Sequence, residues 1–191
     1  MGDDMFKKIV ILMVLFAAPA ILAQGTDVKH AFVGAETCGM CHKTEKQGKQ
    51  FDIWKTSAHS KAYETLKTVE ADSIAKAKGL STIAAVSEVC LKCHVSGYNV
   101  DATLKTAKFK MEDGVQCETC HGAGADYKSL KVMKDPKEAI ANGLKIFNTE
   151  EERVALCKEC HNSESPTFDS TKSDFTEMWS KINHDIPKSD K

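Results

Sequence analysis

The hydrophobic pattern divides the chain into one continuous apolar segment near its start and a long remainder of short amphipathic stretches. The apolar segment covers residues 9–18, follows two lysines and precedes several small residues. This order is typical of a secretory signal peptide. We therefore predict a signal peptide over residues 1–23 and one mature domain over residues 24–191, located in the periplasm or outside the cell. An uncleaved membrane anchor is the alternative, because residues 9–23 are only slightly short of a bilayer span.

Two helix starts are visible near the C-terminus. Thr149 and Glu152 form a capping-box pattern ahead of an apolar stretch, and Asp174 and Glu177 repeat that pattern. The second stretch places its apolar residues at helical spacing and ends near His184. We predict a short helix after each of these starts.

The middle of the chain gives weaker signals. Ser57 can cap a helix that runs through Val69, and the alanine- and lysine-rich stretch after it stops at Gly79. Residues 97–114 alternate enough to form one short hairpin, and no other segment resembles a sheet. The predicted fold is mainly α, with short helices, long loops and little or no β-sheet.

All eight cysteines fall in four Cys-x-x-Cys-His motifs, here called pentads and numbered in chain order. This motif is the attachment signature of c-type haem, in which two thiols bind the porphyrin and the histidine binds iron. Zinc sites and disulfides also use cysteine pairs, but neither requires a histidine after every second cysteine. We therefore predict four covalently attached haem c groups. The cysteines are Cys38, Cys41, Cys90, Cys93, Cys117, Cys120, Cys157 and Cys160, and the histidines are His42, His94, His121 and His161.

Composition supports a haem-based core. The aromatic content is 7%, so the porphyrins must supply most of the buried apolar mass, and the fold should be absent without them. The formal net charge is −1, and no basic patch indicates nucleic-acid binding. The expected partners are redox proteins that donate and accept electrons.

Only three histidines remain outside the pentads: His30, His59 and His184. A haem with two protein ligands transfers electrons, whereas one with an empty position can bind a small molecule. Three spare histidines cannot serve four irons. Each of the three could also have no role in ligation. His59 could be an exposed residue at a helix start, His184 a residue favoured at a helix end, and His30 part of a disordered tail.

The order of the motifs resembles the cytochrome c-554 family over nearly the whole mature chain. A pentad is followed by Trp-Lys-x-Ser-Ala-His, by Cys-x-x-Cys-His-Val-x-Gly, by Gly-Val-x-Cys-Glu-x-Cys-His-Gly-x-Gly, and by a last pentad with a histidine-bearing C-terminal helix. The matching residues are Trp54, Lys55, Ala58, His59, residues 90–95, Gly97, Gly114, Val115, Cys117, Glu118, residues 120–122 and Gly124.

The resemblance implies a mostly helical tetrahaem fold with closely packed haem pairs, three irons with two histidine ligands, and an open second haem. By that pattern His59 would bind the third haem iron and His184 the fourth, leaving the haem of His94 open.

One departure from the family concerns the first haem. The family's distal histidine for this haem lies shortly after the third pentad, yet residues 124–135 contain no histidine. The haem of His42 then needs His30, a methionine such as Met111 or Met133, or no second ligand. His30 could instead reach the iron of a neighbouring subunit.

Three functions follow as hypotheses. The leading one is an electron carrier that passes electrons along its haems and needs no catalytic residue. The second is a redox enzyme acting on nitrogen oxides or other small molecules at an open His94 haem. The third is a homo-oligomer or conducting filament linked through His30.

Overall fold

The computed structural model describes residues 30–187, which consist mainly of short α-helices. Within this range the one β pairing is an isolated parallel bridge between Phe32 and Lys105. The prediction of a mainly α fold is confirmed. The helices are α1 (Ala35–His42), α2 (Gln50–Thr56), α3 (Ala62–Thr65), α4 (Val69–Ala77), α5 (Glu88–His94), α6 (Cys117–His121), α7 (Leu130–Met133), α8 (Pro136–Ala141), α9 (Glu150–Lys158) and α10 (Phe175–Ser180).

The signal peptide predicted over residues 1–23 lies outside the described residues, and the single mature domain over residues 24–191 stays a prediction. Between residues 30 and 187, none of the helices has the length and apolar character needed to cross a membrane. Five 3-10 turns connect the helices, at Glu45–Gln47, His59–Lys61, Ala84–Val86, Ala102–Leu104 and Met111–Asp113.

Both C-terminal helix starts are confirmed. The Thr149 side chain accepts a hydrogen bond from the Glu152 backbone N–H, and the Glu152 carboxylate accepts one from Thr149 N–H, which completes a capping box at α9. The Asp174 carboxylate caps α10 by accepting from two backbone N–H groups. Because α10 ends at Ser180, His184 lies in the segment that follows it.

The predicted helix capped by Ser57 is wrong. Ser57 ends α2 instead, because both its N–H and its hydroxyl donate to the carbonyl of Trp54. The hydroxyl is therefore engaged with the preceding helix. The chain forms α3 separately and starts α4 at Thr68, whose hydroxyl accepts from Ala71 N–H. The predicted stop near Gly79 is confirmed, since α4 ends at Ala77.

The hairpin over residues 97–114 is not formed. Its backbone bonds instead to the segment ahead of α1: Phe32 N–H donates to Leu104 C=O at 2.7 Å, and Thr106 N–H donates to Phe32 C=O at 2.9 Å. A single extended residue outside the segment thus takes the place of a second hairpin strand.

The buried interior is small and partly polar. Among the described residues, the largest fully buried side chains are Gln116, Glu118, Val33 and Ser96. Five of the eleven buried hydrophobic residues are alanines. Side chains of this size bury little apolar area, as expected for a chain whose core is completed by a cofactor.

Candidate haem sites

Each pentad lies at the end of an α-helix. Helices α1, α5 and α6 end at the pentad histidine, and α9 ends just after the first cysteine of the fourth pentad. Helical spacing of three and four residues puts the two cysteines and the histidine on one face. That face can present two thiols and one imidazole to a single haem. All eight cysteines are free thiols, as haem attachment requires.

The pentad histidines are oriented by hydrogen bonds at Nδ1. A ligating histidine normally donates its other ring N–H to an oxygen, which leaves Nε2 for the metal. Three of the four pentad histidines have such an acceptor. The acceptors are the Gln50 side chain for His42, the Ala62 carbonyl at 2.7 Å for His94, and the Lys145 carbonyl at 3.2 Å for His121.

Two spare histidines lie opposite pentad histidines. The ring centres are 6.2 Å apart for His59 and His161, and 6.0 Å apart for His121 and His184. A metal–imidazole bond is about 2 Å long, so two imidazoles on opposite sides of one metal ion have ring centres about 6 Å apart. Both pairs therefore fit an iron with two histidine ligands.

These pairs differ from the assignment implied by the family resemblance, which gave His59 to the third haem and His184 to the fourth. In the structure the His59 ring lies beside His161 of the fourth pentad and the His184 ring beside His121 of the third. The C-terminal segment folds back beside α2, where Gln50 Nε2 donates to the His184 carbonyl at 3.0 Å.

Burial favours the neutral imidazole at His59, His121 and His161. Desolvation lowers the pKa of His59, His121 and His161, and the neighbouring histidine of each pair lowers it further for His59 and His121. Neutral imidazole is the form that binds a metal ion. The electrostatics and the geometry of these rings therefore agree.

The pentads are arranged in space in an order that differs from their order in the sequence. The first and third pentads adjoin through Cys38 and Cys117. A hydrogen bond between these two thiols is the main cause of the raised pKa of Cys117. Burial raises the pKa of Cys120 to about 11, with Cys157 of the fourth pentad as the next cause. Burial likewise raises the pKa of Cys160 to about 12, and Cys93 of the second pentad adds to it. By these cysteine couplings the pentads follow the order first, third, fourth, second, which we call the row. The segment after the second pentad also bonds to the third, where the Ser96 hydroxyl accepts from Gln116 N–H at 2.7 Å.

A buried carboxylate ties the first and third pentads together. Glu118, between the two cysteines of the third pentad, is 2% exposed. Its oxygens accept from the backbone N–H groups of Val33, Gly34 and Gly124 at 2.7–2.8 Å. Beside it, the Gln116 side chain accepts from Ala35 N–H at the start of α1. We call these bonds of Glu118 the carboxylate clamp.

His30 and the two methionines lie apart from the ring pairs. His30 Nδ1 is 2.5 Å from Asp126 Oδ2, and the side chain is 21% exposed. Met111 packs against the buried cluster that includes Tyr63 and Leu66, and Met133 ends α7. Neither ring pair includes His42 or His94.

Comparison with known proteins agrees with the motif order and the helical fold. The family model described as "Cytochrome c554 and c-prime" matches residues 37–122, which contain the first three pentads. Cytochrome c-554 of Nitrosomonas europaea is 30% identical over 166 residues. That alignment covers 79% of this chain, and the chain spans 66% of the relative's length.

The chain belongs to the cytochrome c-554 family. Membership implies covalently bound haem c. No solved structure gives a significant match to this cytochrome c-554 family member.

Sequence reasoning missed the groups that orient the ligands. Gln50, Asp126 and the carbonyls of Ala62 and Lys145 carry no sequence signature, because any residue can offer a carbonyl and polar side chains occur throughout the surface. Glu118 belongs to the motif shared with the family, which was a signal for its importance but not for its contacts.

Proposed function

We propose that this protein is an exported tetrahaem cytochrome that carries electrons in the periplasm or outside the cell. The supporting observation is the pair of histidine–histidine separations near 6 Å at two pentads of one contiguous row. When bound, each haem supplies an iron that gains and loses one electron. At the two paired sites, two imidazole ligands would favour that exchange over substrate binding.

The ligand assignments follow from the contacts. His121 and His184 would hold the third haem iron through Nε2, because each Nδ1 donates to a backbone carbonyl, of Lys145 and Ile182 respectively. His161 and His59 would hold the fourth. The four rings are half-buried, and the hydrogen bonds at Nδ1 orient the rings of His121 and His184.

The spatial order of the pentads sets the route. Haems attached at these pentads would exchange electrons in the order first, third, fourth, second, because the cysteines of successive pentads in that order couple electrostatically. The first and second haems are the ends of this row. Redox proteins that donate and accept electrons would therefore dock at opposite ends, a prediction that cross-linking to purified redox partners can test.

A second candidate function rests on His94. Its Nδ1 has the Ala62 carbonyl and the Thr65 hydroxyl nearby, and the ring belongs to neither histidine pair. A second haem without a distal ligand would bind small molecules such as nitric oxide. Failure of the reduced protein to bind nitric oxide or carbon monoxide would remove this candidate.

The decisive experiment is a haem count followed by a redox titration of the purified, exported protein. We expect four haems per chain by the pyridine haemochrome assay, all reducible and reoxidisable at optically transparent electrodes. A protein with fewer than four haems, or with haems that do not exchange electrons, contradicts the proposal. Cell fractionation tests export separately.

A further inference from the structure

We propose that His30 is the second axial ligand of the first haem iron, with Asp126 as the residue that positions it. This proposal rests on the proposed function, since it requires a haem at the first pentad. It assigns a ligand to His42's iron and makes the first haem a low-spin electron carrier. The second haem is then the one without a second histidine.

The first observation is the built environment of the His30 ring. Nδ1 donates to Asp126 Oδ2 at 2.5 Å, and the side chain is largely buried at 21% exposure. A carboxylate on Nδ1 is the usual arrangement of a ligating histidine, because it fixes the tautomer and leaves Nε2 for the metal. An ordinary exposed histidine has no need of such a partner.

The second observation is the space left for this ring. Gly143 lies against it with φ of 100°, and a Cβ added there would come within 2.8 Å of His30 Cδ2. Any side chain at Gly143 would push the imidazole away. The ring is therefore held between a glycine on one side and the Asp126 carboxylate at Nδ1.

The third observation places His30 beside the first pentad. The carbonyl of Ala31 accepts from Ala125 N–H at 3.1 Å, so the chain at His30 runs along the segment that carries Asp126. Tyr127 in that segment is buried and has Cys38 among its electrostatic neighbours. The segment that positions His30 thus lies near the first pentad.

His42 and His30 are both linked to the surroundings of the third pentad. His42 bonds to Gln50, which also bonds to the carbonyl of His184, and His42 is an electrostatic neighbour of His121. His30 contacts Gly143, whose carbonyl closely approaches Gly122, the residue after His121. The first pentad histidine and His30 are therefore connected to the same part of the fold.

Elimination leads to the same iron. His59 and His184 are paired with the fourth and third pentad histidines. His42 and His94 are the pentad histidines outside the ring pairs. His30 is assigned to the first of these because Val33 and Gly34, which follow it, lead directly into the helix of the first pentad and bond to Glu118.

The test is low-temperature electron paramagnetic resonance of oxidised holoprotein carrying His30→Ala. We expect three low-spin irons and one high-spin iron in the wild type, and two of each in the variant. Added imidazole should restore the third low-spin signal. His30→Met covers the case in which the alanine variant does not fold, because thioether ligation keeps the iron low-spin and raises its potential.

Asp126→Asn tests the positioning role. Loss of the carboxylate weakens imidazole as a donor, so one haem potential should rise while the low-spin count stays unchanged. Asp52→Asn is the matched control, since Asp52 is an exposed aspartate on α2. It should leave every potential unchanged.

Several outcomes would overturn the assignment. An unchanged spectrum in His30→Ala removes it. A second test adds His30→Ala to a protein in which Cys38 and Cys41 are both replaced by alanine and which therefore lacks the first haem. If His30→Ala still removes a low-spin signal there, the affected iron is not the first and the assignment is wrong. A change confined to sedimenting oligomers assigns His30 to a neighbouring subunit instead. Failure of the proposed function itself is separate, since it appears as fewer than four haems in the wild type.

Discussion

His59 connects two pentads by different parts of its structure: its ring lies 6.2 Å from the ring of His161, while its backbone carbonyl accepts from Val115 N–H at 3.0 Å. Val115 is two residues before the third pentad. The backbone of His59 is thus anchored beside the third haem site and its imidazole is delivered to the fourth. Replacing the side chain should remove a ligand without disturbing the anchor.

His59→Ala should convert one low-spin iron to high-spin, because the fourth haem loses its second histidine. The measurement is electron paramagnetic resonance of the oxidised holoprotein, with nuclear magnetic resonance to identify the perturbed haem. The control is Lys61→Ala, an exposed position in the same 3-10 turn. If the third haem's resonances shifted instead, the pairing of His59 with His161 would be wrong.

Glu118→Gln should lower the free energy of unfolding by about 2–4 kcal/mol, because an amide cannot accept all three hydrogen bonds of the carboxylate clamp and leaves buried N–H groups unpaired. Chemical denaturation of the holoprotein measures this. Glu159→Gln is the control, since Glu159 lies in the fourth pentad but is exposed. Its effect should stay within about 0.5 kcal/mol. Equal effects at both positions would refute the role of the clamp.

Preventing haem attachment should abolish cooperative unfolding. The protein part of the interior consists mostly of small and polar side chains, which bury too little apolar area to offset the chain entropy. Chain produced without the attachment machinery should give a circular dichroism spectrum of largely unfolded protein and no thermal transition. A sharp transition in such haem-free protein would contradict the expectation.

Asp113→Asn should stabilise the protein at neutral pH and have little effect in acid. One carboxylate oxygen of Asp113 is buried with no hydrogen-bond partner in the described chain, and desolvation raises its pKa. A raised folded-state pKa means that the ionised form costs stability, and that protonation removes this cost as the pH falls through the folded pKa. The gain at pH 7 should reach up to about 1 kcal/mol, because the residue is partly solvated.

Thermal unfolding at pH 7 and near pH 4 checks the Asp113 prediction. Glu112→Gln serves as the control, since Glu112 is its exposed neighbour. A gain of equal size at both pH values would show that the ionised carboxylate is not the cause.

The sequence predicts structure well where the interacting groups are close together in the chain. The capping box of Thr149 and Glu152 needs only residues within one turn, and it forms as expected. The Ser57 prediction is wrong because a serine hydroxyl can bond to the helix before it or to the helix after it. In the structure it donates to the Trp54 carbonyl of the preceding helix. The pentads also predict their cofactor directly, because the two cysteines and the histidine that attach it lie within five residues.

Histidine pairing is beyond such local signals. Which pentad histidine His59 or His184 lies beside depends on how α2 and the C-terminal segment pack, and one contact between them is the bond from Gln50 to the His184 carbonyl. Periodicity and motif spacing contain no information about that contact. The same holds for Asp126, an ordinary surface aspartate in sequence that becomes the partner of His30.

The row order of the pentads also bears on how the protein is made. A chain emerging from its N-terminus presents the first two attachment sites early, yet these are the two ends of the row. The last site to emerge, at Cys157 and Cys160, has cysteines that couple with those of both the third and the second pentad. Premature termination anywhere before that site would therefore remove the pentad through which these two are coupled.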